Sequence, residues 1–426
     1  MIAPGQLVDL NVEKPAAGGR MIARFSGQIV LVSGAIPGEQ ITARIERVRQ
    51  GVAFAETVRV EAAAPDRREP FTDPLCGGCL YAHITYPRQV EIKAQVIADA
   101  FARIGRMPLA APVDVAPSSD DGYRMRARLH VRDGRIGFFR EGSHQICDAR
   151  ATRQLLPETC DALDAIAARS GSIHAWGVRE LVVSENTDAS ERVVHLETAG
   201  HVDLDALRPL GQTPGVTGLT ATPATVLAGD PHLRDTIAVG EHRVALRRHV
   251  LSFFQGNRYL LADLVAHVME QIARDDDVID LYAGAGLFSV AAAVVRRARV
   301  TAVEGDPIAA ADLKQNASAL GNAVEVVHQP VEAFVVAHRD APAVLIVDPP
   351  RTGMSREALE GAIRLQPSTI VYVSCDVATI ARDARRLLDA GYALQHLRGF
   401  DLFPNTPHVE IVGRFQKISG LQDFRI

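Results

Sequence analysis

From about residue 245 onward, short apolar runs alternate with segments of helical periodicity, and no other feature of the chain limits its possible folds as strongly. Val278 to Tyr282, Val300 to Glu304, Val344 to Val347 and Ile370 to Ser374 read as buried strands. Ser289 to Arg297, Pro307 to Ala319 and residues 377 to 390 read as helices. This alternation predicts an α/β fold with a parallel, doubly wound, Rossmann-like sheet, which takes ligands at the carboxyl ends of its strands. The segment Asp280-Leu-Tyr-Ala-Gly-Ala-Gly286 falls at the first such end. Gly284 and Gly286 allow a tight turn and close approach of a ligand to the backbone. Glu304 ends the next strand, where a carboxylate can accept hydrogen bonds from ribose hydroxyls. Ser289 departs from the pyrophosphate pattern of nicotinamide enzymes. A nucleoside-containing cofactor fits, and the residues alone leave dinucleotide and S-adenosylmethionine open.

The chain has 426 residues, too many for one core, so two or three domains are expected. Three are read: residues 1–62, 63–240 and 241–426. In the first, Val8 to Val12, Gly27 to Val32, Gln40 to Val48 and Val52 to Val60 are strand candidates. Turns fall at Gly18-Gly19, Ser26-Gly27 and Pro37-Gly38, which suggests a small barrel of the oligonucleotide-binding type or another small β domain. A Pro-, Arg- and Asp-rich linker spans Pro65 to Pro74. A helix is predicted over residues 88 to 106, with Val90, Ala94, Ile97 and Phe101 on one face. Residues 123 to 140 read as a hairpin turning at Asp133-Gly134, within a mixed α+β middle domain.

The net charge is −5, so any surface for nucleic acid must be local. The hairpin offers one: Arg124, Arg126, Arg128, His130 and Arg132 recur with period two and so share a face. At 3.3 Å per residue that stripe runs roughly 26 Å, enough to follow several phosphates. A solvated strand face with acidic neighbours is the alternative. No signal peptide or membrane span is read, and five cysteines without framework spacing fit a reducing cytoplasm better than disulfides. No obligate protein partner is evident.

Three further segments carry candidate chemistry. Asp348-Pro-Pro-Arg351 follows an apolar strand, so its carboxylate stands at the ligand edge on a loop stiffened by two prolines. In Phe253-Phe-Gln-Gly-Asn257 the amides either bond a polar ligand or cap the following helix. Cys375 follows a buried strand, and Asp376 is a plausible cap of the helix after it. A thiol there feels the helix dipole, which lowers its pKa, although a buried inert cysteine is a common alternative. Glu410 lies just before an apolar strand, where partial burial suits a carboxylate to proton abstraction; His408 either assists or positions the loop.

Five ordered motifs run from Phe253 to Glu410: Phe253-Phe-Gln-Gly-Asn257, Asp280 to Gly286, Asp348-Pro-Pro-Arg351, Ser374-Cys-Asp-Val-Ala-Thr-Ile-Ala-Arg-Asp383 and Asp401-Leu-Phe-Pro-Asn-Thr-Pro-His-Val-Glu410. Together they resemble the RNA 5-methyluridine methyltransferases. Gly18-Gly19-Arg20-Met-Ile-Ala-Arg24 and Pro37-Gly38-Glu39 resemble the TRAM domain of the branch acting on 23S ribosomal RNA. The resemblance implies that Gln255, Tyr282, Glu304 and Asp348 bind S-adenosylmethionine, that Cys375 is the nucleophile and that Glu410 is the base. It also implies that the helix at 88 to 106 packs on the methyltransferase domain.

The chain departs from the family in two places. Many members hold a [4Fe–4S] cluster on four cysteines, of which Cys76 and Cys79 match two. Pro70 and Thr152 stand where the others are expected, with Cys147 and Cys160 displaced, so the cluster is expected to be absent or altered. Val377 replaces the usual proline after the catalytic cysteine, at a helix position where proline is optional. The competing functions are a transfer RNA T-loop methyltransferase, a non-catalytic RNA-binding protein and an amino-methylating enzyme. The last usually carries an aromatic residue where this chain has Arg351, and it needs no thiol.

Overall fold

A computed structural model of the chain describes residues 2–169, 177–200 and 202–418. Five strands near the amino terminus close into a barrel: Leu7–Pro15, Met21–Phe25, Gln28–Ser33, Gln40–Arg49 and Val52–Ala62. Along the first strand exposed and buried residues alternate, so Val8, Leu10 and Val12 fill the interior. Met21–Phe25 is a strand absent from the sequence expectation. It forms because Ser26 and Gly27 both take positive φ, giving the tight turn that pairs it with Gln28–Ser33.

The middle region is a seven-stranded sheet. Arg126–Arg132 pairs with Arg135–Phe139 through the expected turn, where Asp133 and Gly134 have φ of 51° and 72°. Ala127, Leu129 and Val131 point into a core shared with Leu163 and Ile166 of the helix Pro157–Arg169. The opposite face carries Arg126, Arg128, His130 and Arg132, and it has the acidic neighbours of the alternative reading. Glu180 on the neighbouring strand meets Arg128 at 3.1 Å and His130 at 3.0 Å, and Glu197 lies 3.9 Å from Arg128. Arg124 does not belong to the stripe. It precedes the strand and turns inward, donating to Gln154 Oε1 at 2.5 Å and to the carbonyl of Arg126.

The carboxyl-terminal region is an eight-stranded sheet. Its order is Val324–His328, Arg299–Glu304, Asp277–Leu281, Val344–Val347, Thr369–Ser374, Glu410–Lys417, Tyr392–Phe400 and Asp114–Ala116. The first five run parallel, and Glu410–Lys417 enters antiparallel between Thr369–Ser374 and Tyr392–Phe400. The edge strand Asp114–Ala116 comes from the middle of the chain. Every residue of Val344–Val347 and Thr369–Ser374 is buried, as their near-continuous apolar runs require in a sheet covered on both faces. Leu287–Arg296, Pro307–Ala317 and Val377–Asp389 form helices close to their expected limits.

The helix Tyr86–Arg103 packs against Val377–Asp389 and contributes Ile92, Ile97 and Phe101 to a core continuous with both the barrel and the sheet. Complete burial of such side chains stabilises by about 1.5–3 kcal/mol each. Its buried face is rotated from the sequence expectation. Val90 and Ala94 are only half-buried, whereas Gln89 and Lys93 are buried because their polar ends are bonded inside the protein. No helix among the described residues is long and apolar enough to cross a membrane.

Candidate active site

The carboxyl ends of the parallel strands meet the motifs expected there. After Asp277–Leu281 the chain turns at Tyr282, Gly284 and Gly286, with φ of 63°, 57° and 96°. A positive φ is strained for an aromatic residue, and strain of this kind persists where surrounding contacts hold it. At Gly286 the φ of 96° is one that glycine adopts without strain, and an added Cβ would also lie 2.7 Å from Leu313 Cδ1 on the helix Pro307–Ala317. At Gly284 nothing lies nearer to an added Cβ than the Phe253 carbonyl at 4.0 Å, which leaves open space over the turn. Glu304 spends part of its carboxylate on the backbone: it accepts from Gly284 N at 2.7 Å and from Asp306 N at 2.6 Å. It thereby fixes the turn, in addition to any role toward a ligand.

Asp280 is fully buried; one oxygen accepts from Ser289, and the other has no hydrogen-bond partner among the described residues. Burial, reinforced by Glu304, pushes its carboxyl up to about 7. Asp348 is likewise pushed up to about 7, by burial and by the charge of Asp280. Gln255 opposes that shift by donating to Asp348 Oδ2 at 3.3 Å. Asn257 takes the capping alternative: its Oδ1 accepts from Tyr259 N and Leu260 N, while its Nδ2 donates to the Leu402 carbonyl. Open space above a glycine turn, an unpartnered buried carboxylate oxygen and a converging Gln255–Asp348 pair suit the polar groups of a nucleoside-containing cofactor.

Cys375 hangs from the end of Thr369–Ser374, and Asp376 caps the next helix by accepting from Ala378 N at 3.0 Å and Thr379 N at 2.8 Å. Ser374 pairs with Ile411 across the sheet, so the antiparallel register sets Cys375 and Glu410 opposite one another at adjoining strand ends. Glu410 is buried, and burial together with Asp348 raises its pKa well above the ordinary carboxylate range; Arg351 pulls the other way. The thiol departs from expectation. Burial, then the negative charge of Glu410, pushes Cys375 up to about 12, against a lowering by Arg351, which hydrogen-bonds it. The helix dipole is therefore outweighed by desolvation and neighbouring carboxylates. Burial and the cations Arg351, Lys93 and Arg124 hold His408 down to about 4, so it stays neutral at physiological pH. Arg351 lay in a quoted motif, but its contact with the thiol needed the fold.

Cys76, Cys79 and Cys147 cluster apart from this site. Cys76 and Cys147 are joined in a disulfide, contrary to the expectation of reduced thiols. Cys76 is thus not available as a metal ligand. Cys79 is buried beside them with its sulfur 4.0 Å from the Thr152 carbonyl. A cluster that needs four thiolates does not fit this donor set. Among the described residues no group of three or more His, Cys, Asp and Glu side chains is arranged to hold a metal.

Comparison with known proteins gives a consistent answer over nearly the whole length. Residues 220–417 match the family model described as tRNA (Uracil-5-)-methyltransferase, and residues 3–58 match the TRAM domain. An uncharacterized RNA methyltransferase of Gloeobacter violaceus is 30% identical over 97% of both chains. Another, of Nitratidesulfovibrio vulgaris, is 29% identical over 96% of both. The crystal structure of Pyrococcus abyssi tRNA (uracil-54, C5)-methyltransferase with S-adenosyl-L-homocysteine shares the fold. Its TM-score is 0.76 at 24% identity, covering 95% of this chain and 99% of that one.

Proposed function

The chain belongs to the TRAM-containing RNA uracil-5 methyltransferase family, and we propose that within it Cys375 is the nucleophile and Glu410 the base for methylating a uridine of 23S ribosomal RNA. The observation that carries the assignment is the register that opposes Cys375 and Glu410 at neighbouring strand ends, beside Asp348 and Arg351. Gln255, Tyr282, Glu304 and Asp348 hold S-adenosylmethionine at the glycine turn. When bound, that cofactor supplies a methyl group as an electrophile to carbon 5.

Carbon 5 of uracil is a poor nucleophile until carbon 6 is attacked. Cys375 gives its proton to solvent, and its thiolate forms a bond to carbon 6; the pair of the C5–C6 double bond moves toward the carbonyl to give an enolate whose carbon 5 is nucleophilic. Arg351 offsets the burial that disfavours the thiolate. After methylation Glu410 takes the remaining proton from carbon 5. The electrons of that C–H bond form the ring double bond, and the carbon–sulfur bond breaks with its pair returning to Cys375. A carboxylate of raised pKa is suited to accept a carbon-bound proton near neutral pH. The target base must leave its stack to reach the cleft, so a loop or single-stranded segment is the substrate. Arg126, Arg128 and Arg132 support backbone contact, tempered by Glu180 and Glu197.

A second reading, a transfer RNA T-loop substrate, is favoured by the fold match to the archaeal enzyme, because that match spans too much of this chain to omit its barrel. The barrel therefore does not separate the two substrates. Mapping 5-methyluridine in both RNA pools from a deletion strain decides. Loss from 23S RNA alone supports the ribosomal assignment, loss from transfer RNA replaces it, and loss from neither refutes both.

A further inference from the structure

The segment from Asp401 to Val409 connects two paired strand ends and delivers Glu410 to the cleft, since Phe400 and Glu410 are partners in register. It is held chiefly from outside the methyltransferase sheet. Lys93 Nζ pairs with Asp401 Oδ1 and donates to the Phe403 carbonyl at 3.1 Å. One helical turn earlier, Gln89 donates to Asn405 Oδ1 and accepts from Asn405 N, both at 2.9 Å. Arg68 donates to the same Asn405 oxygen at 2.8 Å, and Tyr81 N donates to the Asn405 carbonyl at 2.9 Å.

Lys93 is 1% exposed and Asp401 0%. Burying such a pair does little for net stability, because desolvation offsets the attraction; its defensible use is to specify one geometry. Tyr86 stands beside the same carboxylate and the Asp401 N–H donates to the Ala116 carbonyl at 2.9 Å, so Lys93 is the charged tether among the groups that hold Asp401. Cys375 is attached differently. It hangs from a central strand and from the helix capped by Asp376, with no bond to this network.

We propose that Lys93 is a positioning residue for Glu410. Through Asp401 and the Phe403 carbonyl it sets the loop that ends on the base, and so governs proton abstraction and release of the enzyme rather than attack by Cys375. The inference rests on the assignment of Glu410 as the base.

The two steps separate experimentally. Unmodified 23S ribosomal RNA and transfer RNA transcripts are incubated with S-adenosylmethionine labelled in the methyl group. Label in a denaturation-resistant protein–RNA adduct and label in free RNA are then followed in time. Glu410→Gln is expected to accumulate methylated adduct with one of the RNAs. Lys93→Met is expected to form adduct at close to the wild-type rate and to release RNA slower by about tenfold or more, the scale of loss for a misplaced base. Should Lys93→Met fail to bind S-adenosylhomocysteine, Asp401→Asn is judged by the same partition. Equal slowing of adduct formation and release, or no slowing of either, overturns the proposal. Absence of adduct from Glu410→Gln with both RNAs instead removes the base assignment, and this proposal with it.

Discussion

Cys375 and Cys79 are both pushed up to about 12, chiefly by burial, yet their surroundings differ in kind. Cys79 lies in a small apolar pocket with Ala82, Phe71 and the Cys76–Cys147 disulfide, and its sulfur lies against the Thr152 carbonyl. Cys375 stands half-buried at a strand end, opposite a carboxylate and within reach of the exposed Arg351. A raised thiol pKa therefore does not separate the proposed nucleophile from the other thiol. Each has a cation that favours its thiolate, Arg124 for Cys79 and Arg351 for Cys375, so what separates them is the access of Cys375 and the carboxylate of Glu410 opposite it.

The largest test of that contrast is substitution of each thiol. Cys375→Ala is expected to lose turnover by about 10⁴-fold or more while still binding S-adenosylhomocysteine, the scale seen when a nucleophile is removed. Cys79→Ala should stay within about twofold, as for a change remote from the chemistry. Methyl incorporation and calorimetric binding measure both, and comparable losses in the two variants would erase the distinction. Next, Glu410→Gln should lower turnover by about 10²–10⁴-fold, the range for a lost general base. An unchanged rate would move the base elsewhere.

A smaller effect is expected on thiol reactivity. Because burial and Glu410 hold Cys375 protonated, its alkylation by iodoacetamide should rise about tenfold per pH unit between pH 7 and 9, tracking thiolate fraction. Cys79 should remain unmodified. Arg351→Met should slow alkylation of Cys375 at a given pH, since losing the cation raises the thiol pKa further and lowers the thiolate fraction. A flat pH profile would show that the free enzyme holds a preformed thiolate. The smallest effect on activity belongs to the disulfide. Cys76→Ser should leave methylation unchanged and lower stability by about 2–4 kcal/mol under oxidising conditions, with no difference once reductant is added. Denaturant titrations with and without reductant check it; a persistent difference under reductant would point to packing rather than the covalent link.

Much of this site could be read without the fold because its determinants are local. The strand–turn–helix around Gly284 and Gly286, the stiff loop after Asp348 and the helix capped by Asp376 each follow from a few consecutive residues whose backbone preferences are strong. The electrostatics were not readable in this way. A helix N-terminus suggested a depressed thiol pKa, but desolvation and Glu410 come from other elements and prevail. The arginine stripe kept its alternation, yet the acids that answer it stand on strands about fifty and seventy residues further along the chain.

The sequence by itself determined the α/β pattern, the order of the motifs and the identity of the residues at each strand end. Only the tertiary structure decided which of those residues meet. It placed Cys375 opposite Glu410 by register, brought Cys147 to Cys76, added Asp114–Ala116 to the sheet and turned Lys93 into the protein. The physical reason is that turn and helix preferences act over a few residues, whereas burial and pairing depend on neighbours supplied by distant parts of the chain.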